Sequence, residues 1–131
     1  MAVSAKYKTS LGKKIKKMRE ASGYSQRKTA LSVGITNAAL SDIENGINFP
    51  SETVLINLIK HLKPSQPVKT DIYDMFSEAK DSPPPDISQF LKSNYEICNL
   101  IRCCSRKVVT TESLEDLKAI INDLEDKNDE E

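Results

Sequence analysis

The 131-residue chain has no tryptophan, and aromatic residues make up only 5% of it. A core must therefore come from aliphatic side chains, and the 38% apolar content is enough for one. No apolar run exceeds a few residues, which excludes a membrane-spanning helix. The opening MAVSAKYKTS carries no apolar segment of the kind a secretory signal requires. Three cysteines, an odd number without Cys-x-x-Cys spacing, point away from a disulfide framework and towards a reducing cytoplasm. Cys98, Cys103 and Cys104 read as small apolar helix residues, and the single histidine, His61, lies in another helix, so neither metal nor cofactor is expected. No paired catalytic constellation and no phosphate-cradling glycine loop occurs, and Ser10-Leu-Gly-Lys13 lacks the companion motifs of a nucleophilic serine. The chain reads as non-enzymatic.

The zero net charge conceals an asymmetry. Residues 1–80 hold 13 Lys and Arg against 7 acids, whereas residues 81–131 hold 6 against 12. The first part suits a polyanion and the second is repelled by one. Periodicity is helical throughout, without a strand pattern, so the fold class is all-α. Leu11, Ile15 and Met18 recur at helical spacing behind Ser10 as N-cap, and Gly23 ends that helix. Ser25 caps a second helix, Gln26 to Val33, stopped by Gly34; Thr36 caps a third, Asn37 to about Asn45, closed by Gly46. Pro50-Ser51 opens a fourth that Pro64 ends, and a fifth short helix runs from Asp71 to Ala79.

DSPPPD, residues 81–86, then reads as a stiff connector between domains, with Asp86 and Gln89 as a capping-box start. One helix is expected from Ile87 to about Arg106. Another, from near Thr111, carries Leu114, Leu117, Ile121 and Leu124 at heptad spacing, a narrow seam that asks for a second helix. Residues 87–126 thus read as a dimerisation or partner-binding module, and residues 127–131 as a disordered acidic tail.

The third helix has two unlike faces. On a wheel of about 100° per residue, Asn37, Ala38, Ser41, Asp42 and Asn45 share one side and Ala39, Leu40 and Ile43 the other. Short amide, hydroxyl and carboxylate groups with a methyl among them suit base edges: Asn pairs with adenine, a methyl meets thymine, and Asp accepts from cytosine N4.

The stretches LGKKIKKMREASGYSQ, ALSVGIT, LSDIENG and PSETVLINLIKHL, within residues 11–76, resemble the lambdoid phage repressor and Cro (XRE) family of helix-turn-helix domains. The resemblance implies a five-helix domain over residues 1–80 whose third helix enters the major groove of double-stranded DNA. It makes Asn37, Ala38, Ser41, Asp42 and Asn48 the base-reading residues, and Gln26, Thr36 and Asn45 phosphate contacts. Lys6 and Lys8 join the phosphate contacts as a basic N-terminal arm, or else form a frayed end. Arg19 and Glu44 match positions of a partly buried structural ion pair. Thr29 stands where the family has an apolar residue, Leu31 where it has a polar one, Glu52 at a commonly apolar position and Lys63 at a common glycine.

Residues 81–131 lie outside the resemblance. The expected function is a cytoplasmic transcriptional regulator, a repressor acting as a homodimer through Leu114, Leu117, Ile121 and Leu124. The alternative is an antitoxin-like or adaptor protein whose helices within residues 87–126 bind a protein partner.

Overall fold

The computed structural model describes residues 2–127, all of whose regular structure is helical. The helices are α1 (Ala5–Ala21), α2 (Gln26–Val33), α3 (Asn37–Glu44), α4 (Glu52–Leu62), α5 (Gln66–Lys80), α6 (Pro85–Lys92), α7 (Tyr95–Ser105) and α8 (Thr111–Asn122). The chain divides into a unit of residues 1–90 and a unit of residues 91–131.

Local chemistry sets the borders of the central helices. The Ser25 hydroxyl accepts from Lys28 N at 3.1 Å, Thr36 Oγ1 from Ala39 N at 3.0 Å and Ser51 Oγ from Val54 N at 3.2 Å. Each satisfies a helix-start amide that has no intrahelical partner. The first unit then closes on Leu11, Ile15, Leu40, Leu55, Leu58 and Ile72, all fully buried, with Phe76 and Phe49 stacked 5.3 Å apart. Burying each such aliphatic side chain contributes about 1.5–3 kcal/mol.

Gly12 marks where α1 crosses the end of α3. A Cβ there would lie 2.3 Å from the Ile43 carbonyl oxygen and 2.9 Å from that of Glu44. Both obstacles are backbone, so α1 must move away. Gly12→Ala is expected to destabilise the first unit by about 1–3 kcal/mol, as overpacking does. A urea melt with an unshifted midpoint would show that the crossing is looser than this geometry.

Five borders differ from the sequence reading. Helix α1 starts at Ala5 with Ser4 at the cap position, not behind Ser10, because nothing from Ala5 to Thr9 interrupts a helix. Lys6 and Lys8 therefore ride its first turns and do not form an arm or a frayed end. Helix α5 begins at Gln66 instead of Asp71, with Pro67 in the first turn, where its missing N–H is no loss. The expected connector of residues 81–86 is shortened by α6, whose first residue, Pro85, is fully buried. Asp86 thus lies in the first turn instead of capping it. The helix expected from Ile87 to Arg106 is two helices, α6 and α7, separated at Ser93-Asn94. Helix α8 ends at Asn122, so Leu124 lies past its end. The tail of residues 127–131, apart from Lys127, lies outside the described residues.

The positions that depart from the resembled pattern have visible structural forms. Thr29 is fully buried and its Oγ1 lacks a hydrogen-bond partner, whereas Leu31 is 82% exposed. Lys63 ends α4 in the left-handed region at φ 48, the conformation that makes glycine common there. Glu52 is exposed in the first turn of α4, where an acid complements the helix dipole. Burial holds the Tyr73 phenol above its ordinary range, helped by the negative charges of Asp86 and Glu52.

Candidate nucleic-acid interface

The turn between α2 and α3 is a single left-handed Gly34 at φ 78, followed by Ile35 and the capping Thr36. Gly34 ends α2 because a side chain at that φ is strained. Ile35 packs on the core cluster and pins the turn. The outcome is a short α3 seated by Leu40, Ile43 and Glu44, all buried.

Opposite that seated side, Asn37 and Ala38 are exposed, and Ser41 and Asp42 are half-buried. Asn45 Nδ2 donates to Ser41 Oγ at 3.2 Å, one turn back. Asn48 Nδ2 reaches Asp42 Oδ2 at 3.5 Å. The Asp42 carboxylate keeps acceptor capacity beyond that long contact, and Asn37 keeps an amide with both donor and acceptor. Thr36 commits its hydroxyl to the cap of α3. The five base-reading candidates therefore share one edge of the first unit, formed by α3 and the segment after it.

The seating of α3 is electrostatic as well as apolar. Arg19 Nε donates to Glu44 Oε2 at 2.7 Å and Nη2 to Oε1 at 3.0 Å, a two-pronged pair. Only 1% of the Glu44 side chain is accessible. Nη1 of Arg19 donates to the Tyr24 carbonyl at 2.9 Å, and Gln26 Nε2 donates to Glu44 Oε1 at 3.2 Å. The hydrogen bond to Glu44 holds the Arg19 pKa above its ordinary value, against the opposing effect of burial. Gln26 uses one amide proton on Glu44 and retains a second, the group a phosphate oxygen would accept from. Arg19, Gln26 and Glu44 thus lock the starts and ends of three helices around one carboxylate.

Sequence reasoning passed over three neighbours of this edge. Arg27 and Lys28 are exposed in the first turn of α2 beside Gln26, and Lys28 Nζ stands 5.0 Å from the centre of the Tyr24 ring. Their position next to Gln26 was the available signal. Ile47, 58% exposed, precedes Asn48, and an apolar residue in a polar loop was its signal. Leu114, Leu117 and Ile121 belong to the second unit, exposed along α8.

Residues 15–65, from within α1 to just past α4, match the family described as helix-turn-helix (HTH_3). The match spans α2, α3 and the turn between them and leaves residues 66–131 uncovered. No characterised protein and no solved structure matches the chain. No helix among the described residues is long and apolar enough to cross a membrane.

Proposed function

We propose, for a chain whose residues 15–65 match the helix-turn-helix family, the function of a sequence-specific repressor of transcription. It acts in the cytoplasm as a homodimer, with α3 of each copy in the major groove of operator DNA. One observation carries this reading. The side of α3 away from the core offers short hydrogen-bonding groups in a row, on a helix held rigidly by Leu40, Ile43 and the Arg19–Glu44 pair. Base reading needs such preorganised groups, and a helix that only needed solubility would carry long charged side chains there.

In this reading Asn37 pairs with an adenine N6 and N7, Ala38 meets a thymine methyl and Asp42 accepts from a cytosine N4 amine. Ser41, which accepts from Asn45, and Asn48, which reaches Asp42 at 3.5 Å, complete the base-reading set. Gln26, Asn45 and the capped start of α3 at Thr36 hold phosphates, with Lys6 and Lys8 adding charge without sequence information. Asn37→Ala should cost about 1–3 kcal/mol on the selected operator and relax preference at one position per half-site. The test is selection of bound duplexes from a randomised pool, followed by affinity measurements on the enriched and scrambled sites. An equal loss on both sites would show that Asn37 does not read bases.

A second reading, an antitoxin-like or adaptor protein, draws support from the second unit. None of residues 91–127 is buried, and many of its apolar side chains are open. Failure of the selection to enrich any motif would favour it over the repressor.

A further inference from the structure

A cleft of about 450 Å³ lies in the first unit, between α1 and the turn from α4 into α5. It contains none of the base-reading or phosphate-contact candidates. Its size falls within the range of small-molecule sites, about 300–1,000 Å³. Much of its lining is apolar: Met18 and Leu62 are buried, Pro64 is half-buried and Val68 is 42% exposed. One hydroxyl fixes that lining. Ser22 Oγ stands 3.0 Å from the carbonyl oxygens of both Met18 and Leu62 and donates to them, which joins the end of α1 to the end of α4.

The charge around this lining is mainly of one sign. Lys14, Lys17 and Lys63 all line the cleft, against Asp71 as its single acid. Lys14 pairs with Asp71, whereas the Lys17 and Lys63 ammonium groups make no ion pair or hydrogen bond among the described residues. Lys63 joins the cleft from the end of α4 at φ 48, where glycine would sit without strain. Ser65 adds a hydroxyl that caps no amide of α5. A concave surface with apolar walls and charges of one sign concentrates its field on whatever enters. We infer that the cleft binds a small organic acid, its carboxylate towards Lys17 and Lys63 and its apolar body on Met18, Leu62 and Val68.

Neither half of such a ligand suffices alone. An inorganic anion would leave the apolar lining in water, and an uncharged hydrocarbon would cover two ammonium groups without a counter-charge. Lysine supplies point charges and no planar fork, so selection among acids falls to the apolar body. Asp71 limits the charge on offer by holding Lys14, which leaves two of the three ammonium groups for the ligand. The site is separate from the DNA-binding reading and does not depend on it.

Titration of the isotopically labelled full chain with octanoate, followed by amide chemical shifts, tests the inference without DNA. Octanoate should bind with a Kd of about 1 mM or tighter and should move the amides of Ser22, Lys63 and Val68 most. Acetate, octanol and inorganic phosphate should each bind at least about tenfold more weakly. Lys17→Ala and Lys63→Gly should each weaken octanoate about threefold to fivefold. The second should do so without lowering the thermal melt, because glycine takes that φ freely. Asp71→Asn should tighten binding by a similar factor of about three to five, since it frees Lys14. Lys13→Ala, exposed on α1 outside the cleft, should change nothing. Octanol or phosphate binding as tightly as octanoate overturns the inference, as does a titration with no saturable shift or with shifts confined to residues 91–127. Native affinity in both the Lys17→Ala and the Lys63→Gly chains overturns it too.

Discussion

Arg19→Ala should lower the unfolding free energy of the first unit by about 3–5 kcal/mol, the loss typical when one partner of a buried ion pair is removed. The Glu44 carboxylate would stay in place with 1% of its side chain accessible, keeping only the single hydrogen bond from Gln26. The Tyr24 carbonyl would lose its donor at the same time. Each kcal/mol moves the melting temperature of a domain this size by about 4–8 °C, so the change should be plain in a thermal melt followed by circular dichroism. Glu44→Gln should also destabilise, because it leaves the Arg19 guanidinium, whose side chain is 12% accessible, without its counter-charge and replaces one accepting oxygen with a donating amide. Equal melts for Arg19→Ala and the native chain would mean that water reaches the carboxylate and that the pair is decorative.

A chain shortened to residues 1–90 should stay folded, because its core of Leu11, Ile15, Leu40, Leu55, Leu58 and Ile72 lies within the first unit. It should nevertheless bind a two-half-site operator about 10²–10⁴-fold more weakly than the full chain, since the second half-site would no longer be held at high effective concentration. The cut belongs after Phe90 and not at Asp81, because removing the buried Pro85 would damage the first unit itself. A band-shift titration of both chains on one-half-site and two-half-site duplexes separates the effects. On the single half-site their affinities should agree. If the shortened chain also matches on the double site, residues 91–131 do not assemble the complex.

The central helices were legible in the sequence because their limits are written in neighbouring residues. Ser25, Gly34, Thr36 and Ser51 each act within three or four positions, and the structure uses each where the spacing places it. The start of α1 was not legible, since Ser10 offers the same hydroxyl as any cap but sits half-buried within the helix. The break between α6 and α7 was equally silent. The apolar period runs on from Leu91 to Ile97, and neither Gly nor Pro marks Ser93-Asn94. Among the candidate site residues, the wheel separates the outer and inner sides of α3, but it does not show that Gln26 shares Glu44 with Arg19. That arrangement joins residues 18 and 25 positions apart, and only tertiary packing brings them together.

The two sides of α3 also divide the work of inheritance. Leu40, Ile43 and Glu44 are buried and answer to the stability of the fold, whereas Asn37 and Ala38 are exposed and Asp42 is half-buried. A substitution at Asn37 or Ala38 can therefore alter what that side presents while leaving the folded population nearly unchanged. The chemistry of that side can change without a stabilising change having to come first. The buried carboxylate that anchors α3 is what leaves its outer side open to variation.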